Sequence, residues 1–288
     1  MKKHFSYAAP GILRSKDNRA ARYGLAKAAA SKKITKLLPG VYCQSHLEDD
    51  PLTLAGAALI YNPNFVLLGE IGAKLQFMPD LKPELITAAC QSAQFSARQY
   101  PKFRFTRASI PDDLKISWGS GFVAAPEISV FHMSLNDDYS ALCEALRRKV
   151  VSAESLIKAY QRLPERSSLR NLDCVTKASG NPWSLPELEM QELLSAFGIT
   201  GWRGNITTKI SGRNFILDIA FEEQKVAIEI DSEKYHLNQT AFHEDRSRHN
   251  LLTAEGWIVL HITPRAIRRS PKEVIKQVAS TLKCRSWQ

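Results

Sequence analysis

Two short segments constrain this chain more than any other feature. Asn214–Phe221 and Val226–Asp231 both alternate between apolar and other residues, and only Glu222-Glu223-Gln224-Lys225 separates them. A period of two predicts strands, and so short a polar break predicts a hairpin. In the first strand Phe215, Leu217, Ile219 and Phe221 share one face while Asp218 points to the other. In the second, Val226, Ile228 and Ile230 share a face, and Glu229 and Asp231 lie opposite. If the polar residues form the loop, Phe221 pairs with Val226. Counting back in that register sets Asp218 directly across from Glu229, with Cβ atoms ~4.5–5.5 Å apart.

Facing carboxylates within apolar sequence repel each other and are costly to desolvate. A hard divalent cation removes that penalty, because Mg²⁺ (or Mn²⁺) prefers oxygen ligands and is commonly held by one or two carboxylates plus substrate phosphate. Asp231, on the same face, can add a ligand or orient a water. The plainer reading is a carboxylate pair with raised pKa, or neutralisation by Lys209 or Lys225. Four histidines follow: His236, His243, His249 and His261. His236 lies where the chain leaves the second strand, and its imidazole could take a proton from an attacking water. His243 could swing to the same place, whereas His249 and His261 read as packing or surface residues. Ser184-Leu-Pro-Glu187 has the pattern of a capping box, and the same first-turn placement could aim Glu187 into the cluster. Arg248 could clamp a phosphate or form an ordinary surface pair with Asp245.

The surrounding elements read as helix (186–197), strands (205–210, 213–221 and 226–231), helix (241–255), strand (257–262) and helix (271–283). A strand, a crossing helix and a further strand imply a parallel pair. Upstream, 18–31 is rich in Ala, Arg and Lys and predicts a helix, and Lys33–Cys43 with its Pro39-Gly40 turn predicts a hairpin. A basic helix followed by a hairpin suits a winged-helix module. Residues 46–165 form a mixed middle domain of packing or spacer character, in which a helical stretch, 138–163, breaks near Val150-Val151-Ser152. The polar stretch from Pro164 to Pro182 predicts a linker, placed at 166–182, before a final domain over 183–288. The expected class is a multidomain α/β (α+β) protein: an amino-terminal winged-helix module over 1–45, the mixed domain, and a carboxy-terminal αβββαβ domain.

Charge is concentrated at one end. The chain of 288 residues carries 39 basic and 29 acidic residues, net +10, and residues 1–40 hold ten basic residues and one acid. Arg19, Arg22, Lys32, Lys33 and Lys36 belong to this segment, which suits a polyanion such as DNA, or else a solvated surface that aids solubility. No apolar run is long enough to span a membrane, the start lacks the apolar core of a secretory signal, and the five cysteines never adopt C-x-x-C spacing. A cytoplasmic protein without a membrane partner is expected.

Glu187, Asp218 and Glu229-Ile-Asp231 in an αβββαβ order resemble the PD-(D/E)XK nuclease superfamily. With His236, Asp245-Arg-x-Arg248 and Leu251-x-x-x-x-Gly256-Trp-x-Val-Leu, the stretch looks like the very-short-patch-repair-like (Vsr-like) endonuclease domains. That resemblance implies a metal bound by Asp218, Glu229 and the Ile230 carbonyl, and a catalytic role for His236. Two positions depart from the pattern: Asp231 replaces the superfamily lysine, and Ser232 the glycine that commonly follows. Arg22-Tyr-Gly-Leu and Leu38-Pro-Gly-Val-Tyr42 are similar to the winged-helix end of AbiEi-type antitoxin regulators, which implies DNA binding by that module. The expected function is therefore a Mg²⁺- or Mn²⁺-dependent DNA endonuclease acting on duplex DNA in repair or defence. Its catalytic residues would be Glu187, Asp218, Glu229, Asp231 and His236. Double-strand cleavage by one site per chain would call for a homodimer or two encounters. The alternative is a non-enzymatic DNA-binding regulator that keeps a degenerate nuclease fold.

Overall fold

The computed structural model describes residues 11–14, 19–91, 100–231 and 248–285. The chain divides into two compact units between Val175 and Thr176. Together their described residues form three sheets and a set of helices, a mixed α/β protein. Among the described residues no helix is long and apolar enough to cross a membrane.

The first unit opens with β1 (Ile12–Arg14), α1 (Arg19–Ala30), β2 (Ile34–Leu38) and β3 (Val41–Gln44), whose strands form a sheet ordered β1-β3-β2. Helix α1 ends in a Schellman motif: Lys33 N–H donates to the Ala28 carbonyl and Lys32 N–H to that of Ala29. Lys32 occupies the left-handed position there, at φ 58°, which usually goes to glycine. After α2 (Pro51–Tyr61) comes a five-stranded sheet of order β6-β5-β4-β8-β7. Its strands are β4 (Val66–Leu68), β5 (Ile86–Ala89), β6 (Phe103–Thr106), β7 (Lys115–Trp118) and β8 (Gly121–Ala124), with α3 (Glu70–Gln76) following β4. Leu37, Leu38, Val41 and Cys43 of the hairpin share one core with Leu54, Leu59, Phe65, Leu67 and Ile86. The core therefore runs through residue 45 without a break. Helices α4 (Pro126–Met133), α5 (Ser140–Arg147) and α6 (Ala153–Arg162) complete the unit, and Ser152 caps α6 at the interruption expected near residue 150.

The interval expected as a linker contains α7 (Leu172–Ala178). Asn171 caps this helix through its Oδ1, which accepts from Cys174 N–H at 3.0 Å, and seven residues are too few to show a period.

The second unit holds α8 (Leu185–Ala196), β9 (Arg203–Ile210), β10 (Arg213–Phe221), β11 (Val226–Ile230), a helix α9 over 248–254, β12 (Ile258–Ile262), α10 (Pro264–Arg269) and α11 (Pro271–Arg285). Its sheet has the order β12-β11-β10-β9, antiparallel except for the parallel pair β11–β12. On one face Ile219, Phe221, Val226, Ile228, Leu260 and Ile262 pack against Met190 and Leu194 of α8, Ile267 of α10 and Val278 of α11. On the other, Ala220 and Ala227 pack with Leu252 of α9 and Trp257. Helices thus cover the central strand β11 on both sides, which is why four of its five residues are buried and why an acid placed in it leaves water.

One expectation about β10 is corrected. Leu217 and Phe215 belong to the α9-side cluster, not to the face carrying Ile219 and Phe221. The alternation breaks at Asp218, opposite Asn205 of β9, which takes a left-handed φ of 48° inside the strand.

Candidate active site

The β10–β11 hairpin has the register the loop length dictates: Phe221 pairs with Val226, Ala220 with Ala227 and Ile219 with Ile228. One step further, Asp218 comes level with Glu229. There the ladder gives way to a side-chain bond, since Ile230 N–H donates to Asp218 Oδ2 at 2.9 Å. Asp218 alternates in phase with Ala220, and Glu229 with Ala227, so both carboxylates face the α9 side.

Burial dominates their electrostatics. Glu229, 8% exposed, has its pKa pushed up to about 8, first by desolvation and then by the charge of Asp218, with Arg248 pulling the other way. Asp218 is also raised, by desolvation first and by Asp231, against the Ile230 N–H bond and Arg248. Among the described residues the cation bonded at this pair is Arg248, on Glu229: its Nη2 donates to Glu229 Oε1 at 2.8 Å and to the Ile216 carbonyl at 2.5 Å. It stands one turn before Leu252, whose packing on Ala220 and Ala227 seats α9 over the carboxylates. Neither lysine considered from the sequence takes that place. Lys209 is exposed, and Lys225 Nζ donates to the Glu255 carbonyl at the end of α9, 2.8 Å away.

Asp231 sits just past β11, exposed, with its N–H donated to the Ile262 carbonyl. Its Oδ1 lies 3.1 Å from Nδ1 of His261, the residue that pairs with Glu229 in the β11–β12 ladder. The His249 ring centroid is 5.8 Å from that of His261. As read from sequence, both histidines are exposed surface groups, and His261 meets the Asp231 carboxylate at the edge of the site. His236, His243 and Asp245 lie outside the described residues.

Glu187 does not close the capping box its pattern suggests: Ser184 Oγ accepts from Glu187 N–H at 3.3 Å and caps α8, but the carboxylate turns to Trp183 N–H rather than to that of Ser184. Ser184 Oγ donates to Glu187 Oε1 at 2.8 Å, Trp183 N–H to its Oε2 at 2.8 Å, and Asn205 Nδ2 to the same Oε2 at 2.6 Å. It is buried, and its pKa is raised by desolvation despite those bonds, with the charge of Asp218 adding to the rise. It therefore braces the start of α8 and lies close enough to Asp218 for the two charges to interact. What sets it there is a contact between two Gly-Asn dipeptides, Gly180-Asn181 and Gly204-Asn205. A Cβ on Gly204 would come within 2.0 Å of the Gly180 carbonyl oxygen, so only glycine permits the approach. Asn205 Nδ2 also donates to the Asn181 carbonyl at 2.9 Å, and both asparagines adopt positive φ. Asn205 and Asn181 were missed from the sequence. The repeated Gly-Asn pair was the available signal, since both residue types tolerate the left-handed region.

Residues 190–282 match the restriction-endonuclease-like family model REase_MTES_1575. The matched stretch runs from α8 into α11 and contains Asp218, Glu229, Asp231 and Arg248, so the carboxylate hairpin lies inside a restriction-endonuclease-like region. This supports a nuclease domain in the second unit. Among solved structures, the catalytic domain of homing endonuclease I-Bth0305I is similar over 35% of this chain and 97% of that domain, at 20% identity and a TM-score of 0.29. No curated protein matches the chain.

In the first unit Lys32, Lys33 and Lys36 are exposed, as is Lys27, and among the described residues no carboxylate pairs with any of them. Arg19 and Arg22 lie on the backbone of α1, with side chains outside the described set.

Proposed function

We propose that the restriction-endonuclease-like unit hydrolyses phosphodiester bonds of duplex DNA in a Mg²⁺- or Mn²⁺-dependent reaction, guided by the basic α1–β2–β3 element as a winged-helix-type DNA-binding module. The observation that carries this reading is the Asp218–Glu229 pair, a half-buried and a buried acid kept side by side on one hairpin at an electrostatic cost that packing alone does not repay.

The donor chemistry fits a hard cation. Among the described residues no three His, Cys, Asp or Glu side chains make a metal cage, so two carboxylates are offered and other positions fall to backbone, water and substrate. Asp218, Glu229 and the Ile230 carbonyl would hold the ion. It would supply Lewis-acid polarisation of the scissile phosphate and a bound water of lowered pKa. Glu187, fixed by three donors, positions the edge of the site and adds negative charge beside Asp218. Asp231 holds His261 at the rim, and His236 is the proposed proton acceptor for the attacking water. Lys32, Lys33 and Lys36 hold the duplex by its phosphates. Kinship with the Vsr-like domains, and of the amino-terminal element with the AbiEi-type regulators, is part of this proposal, as are the homodimer and a role in repair or defence.

Nicking of supercoiled plasmid with Mn²⁺ or Mg²⁺ tests it. Asp218→Ala and Glu229→Ala should each lower the rate on the order of 10³-fold or more while circular dichroism shows the fold retained. Unchanged cleavage in both variants, or cleavage unaffected by chelator, would overturn the reading.

A further inference from the structure

Arg248 occupies an unusual position for an arginine of a DNA-cutting site. Its Nη2 is committed to Glu229 Oε1 and to the Ile216 carbonyl rather than turned outward, and the Glu229 side chain is 10% exposed against 31% for Arg248. The guanidinium is therefore the more exposed partner of the buried carboxylate and occupies one of its two oxygens. An ion held by Glu229 would share that oxygen and bring two more positive charges beside the guanidinium. In a partly buried site such like-charge contact is screened far less than in water.

We infer that Arg248 is a built-in counter-ion, holding the place of the divalent cation on Glu229 and yielding it when the ion binds. This rests on the metal-dependent reading above and goes beyond it, because it sets arginine and ion in competition for one carboxylate. The geometry allows the exchange. The Ile216 carbonyl keeps one bond to the guanidinium when Glu229 is taken, and the partly exposed side chain can then face an anionic phosphate oxygen. The arrangement also answers a problem of the ion-free chain: without Arg248, Asp218 and Glu229 would face each other across the hairpin with no cation of the described residues bonded to either.

An ordinary structural ion pair and a counter-ion competitor make opposite forecasts. Loss of a structural pair lowers stability and leaves ion binding unchanged or weaker. Loss of a competitor lowers the stability of the ion-free protein and tightens ion binding. The experiment uses the full chain at pH 8.5 with Mn²⁺ alone, following the free-ion paramagnetic resonance signal, together with thermal melts without metal. Wild type is compared with Arg248→Ala, with Arg248→Gln and with Glu229→Gln. The glutamine at 248 removes the charge but keeps a donor for the Ile216 carbonyl, and so covers the case in which the alanine variant does not fold.

The expected result is Mn²⁺ bound about tenfold or more tightly by the Arg248 variants, the order expected for removing one like charge at close range. They should also melt at lower temperature than wild type in the absence of the ion. Glu229→Gln should lose the binding. Arg248 variants that bind Mn²⁺ no more tightly than wild type, while Glu229→Gln abolishes binding, would overturn the competition and leave the metal site standing. Mn²⁺ binding that is absent from every form, or indifferent to Glu229→Gln, would overturn both.

Discussion

Two hairpins of this chain treat charge in opposite ways. The β2–β3 hairpin and the end of α1 display Lys32, Lys33 and Lys36 to solvent, whereas β10–β11 buries Glu229 and half-buries Asp218 beside it. Exposed cations keep their hydration and act at long range, so their worth lies in the summed field and in contacts to a polyanion. Buried carboxylates lose hydration, and each depends on particular neighbours: Ile230 N–H for Asp218, Arg248 for Glu229, and three donors for Glu187. The comparison teaches that a composition-level signal locates exposed charge, while a register-level signal locates charge that the fold takes out of water.

The contrast breaks first at the buried end. Glu229 has its carboxyl pushed up from 4.5 to about 8, so the folded chain retains a proton the unfolded chain has released. That stabilisation is complete below pH 4.5 and drains away as pH rises towards 8, by roughly 3–5 kcal/mol at ~1.4 kcal/mol per pH unit. Asp218 and Glu187 shift in the same direction. Denaturant melts of metal-free protein from pH 5 to 8 should show this slope, and Glu229→Gln should flatten it; a stability that rises over this range would refute the burial account. Next, Asn205→Ala should cost about 3 kcal/mol, combining lost bonds to a buried carboxylate with left-handed strain. Asn205→Gly should recover about 1 kcal/mol of that in the same urea titration.

At the exposed end the effects are smaller and salt-dependent. Replacing Lys32, Lys33 and Lys36 together by alanine should weaken duplex binding about tenfold or more near 0.1 M salt. It should also reduce the slope of log K against log salt by ~2.7 in fluorescence anisotropy. An unchanged slope would remove these residues from the interface. Smallest is Lys32→Gly, which should stabilise the fold by about 0.5–1 kcal/mol by relieving the left-handed position at the end of α1, while DNA affinity falls slightly. A destabilised Lys32→Gly would show that the lysine side chain packs.

Much of this was legible in the linear chain. The four-residue loop and the alternation on either side of it set the hairpin register, and Ser184 with Glu187 announced the start of α8. Short elements escaped for want of a period: α7 with seven residues and α10 with six. The break in β10 escaped because its cause lies on another strand, at Asn205. Arg248 was visible as a phosphate clamp or a surface partner of Asp245 but not as the partner of Glu229, since sequence distance says nothing of a contact nineteen residues upstream.

By itself the sequence determined that two acids would meet across a hairpin, because side-chain alternation and loop length are local properties of a backbone with fixed geometry. It also determined that basic charge would gather at one end. Only the tertiary structure decided what surrounds those acids: Arg248 arriving from α9 on Glu229, His261 from β12 beside Asp231, and Glu187 held by a contact between two glycine-asparagine pairs. The reason is physical. Desolvation, and therefore pKa and counter-ion choice, depends on which distant elements close over a strand, and a linear pattern does not carry that information.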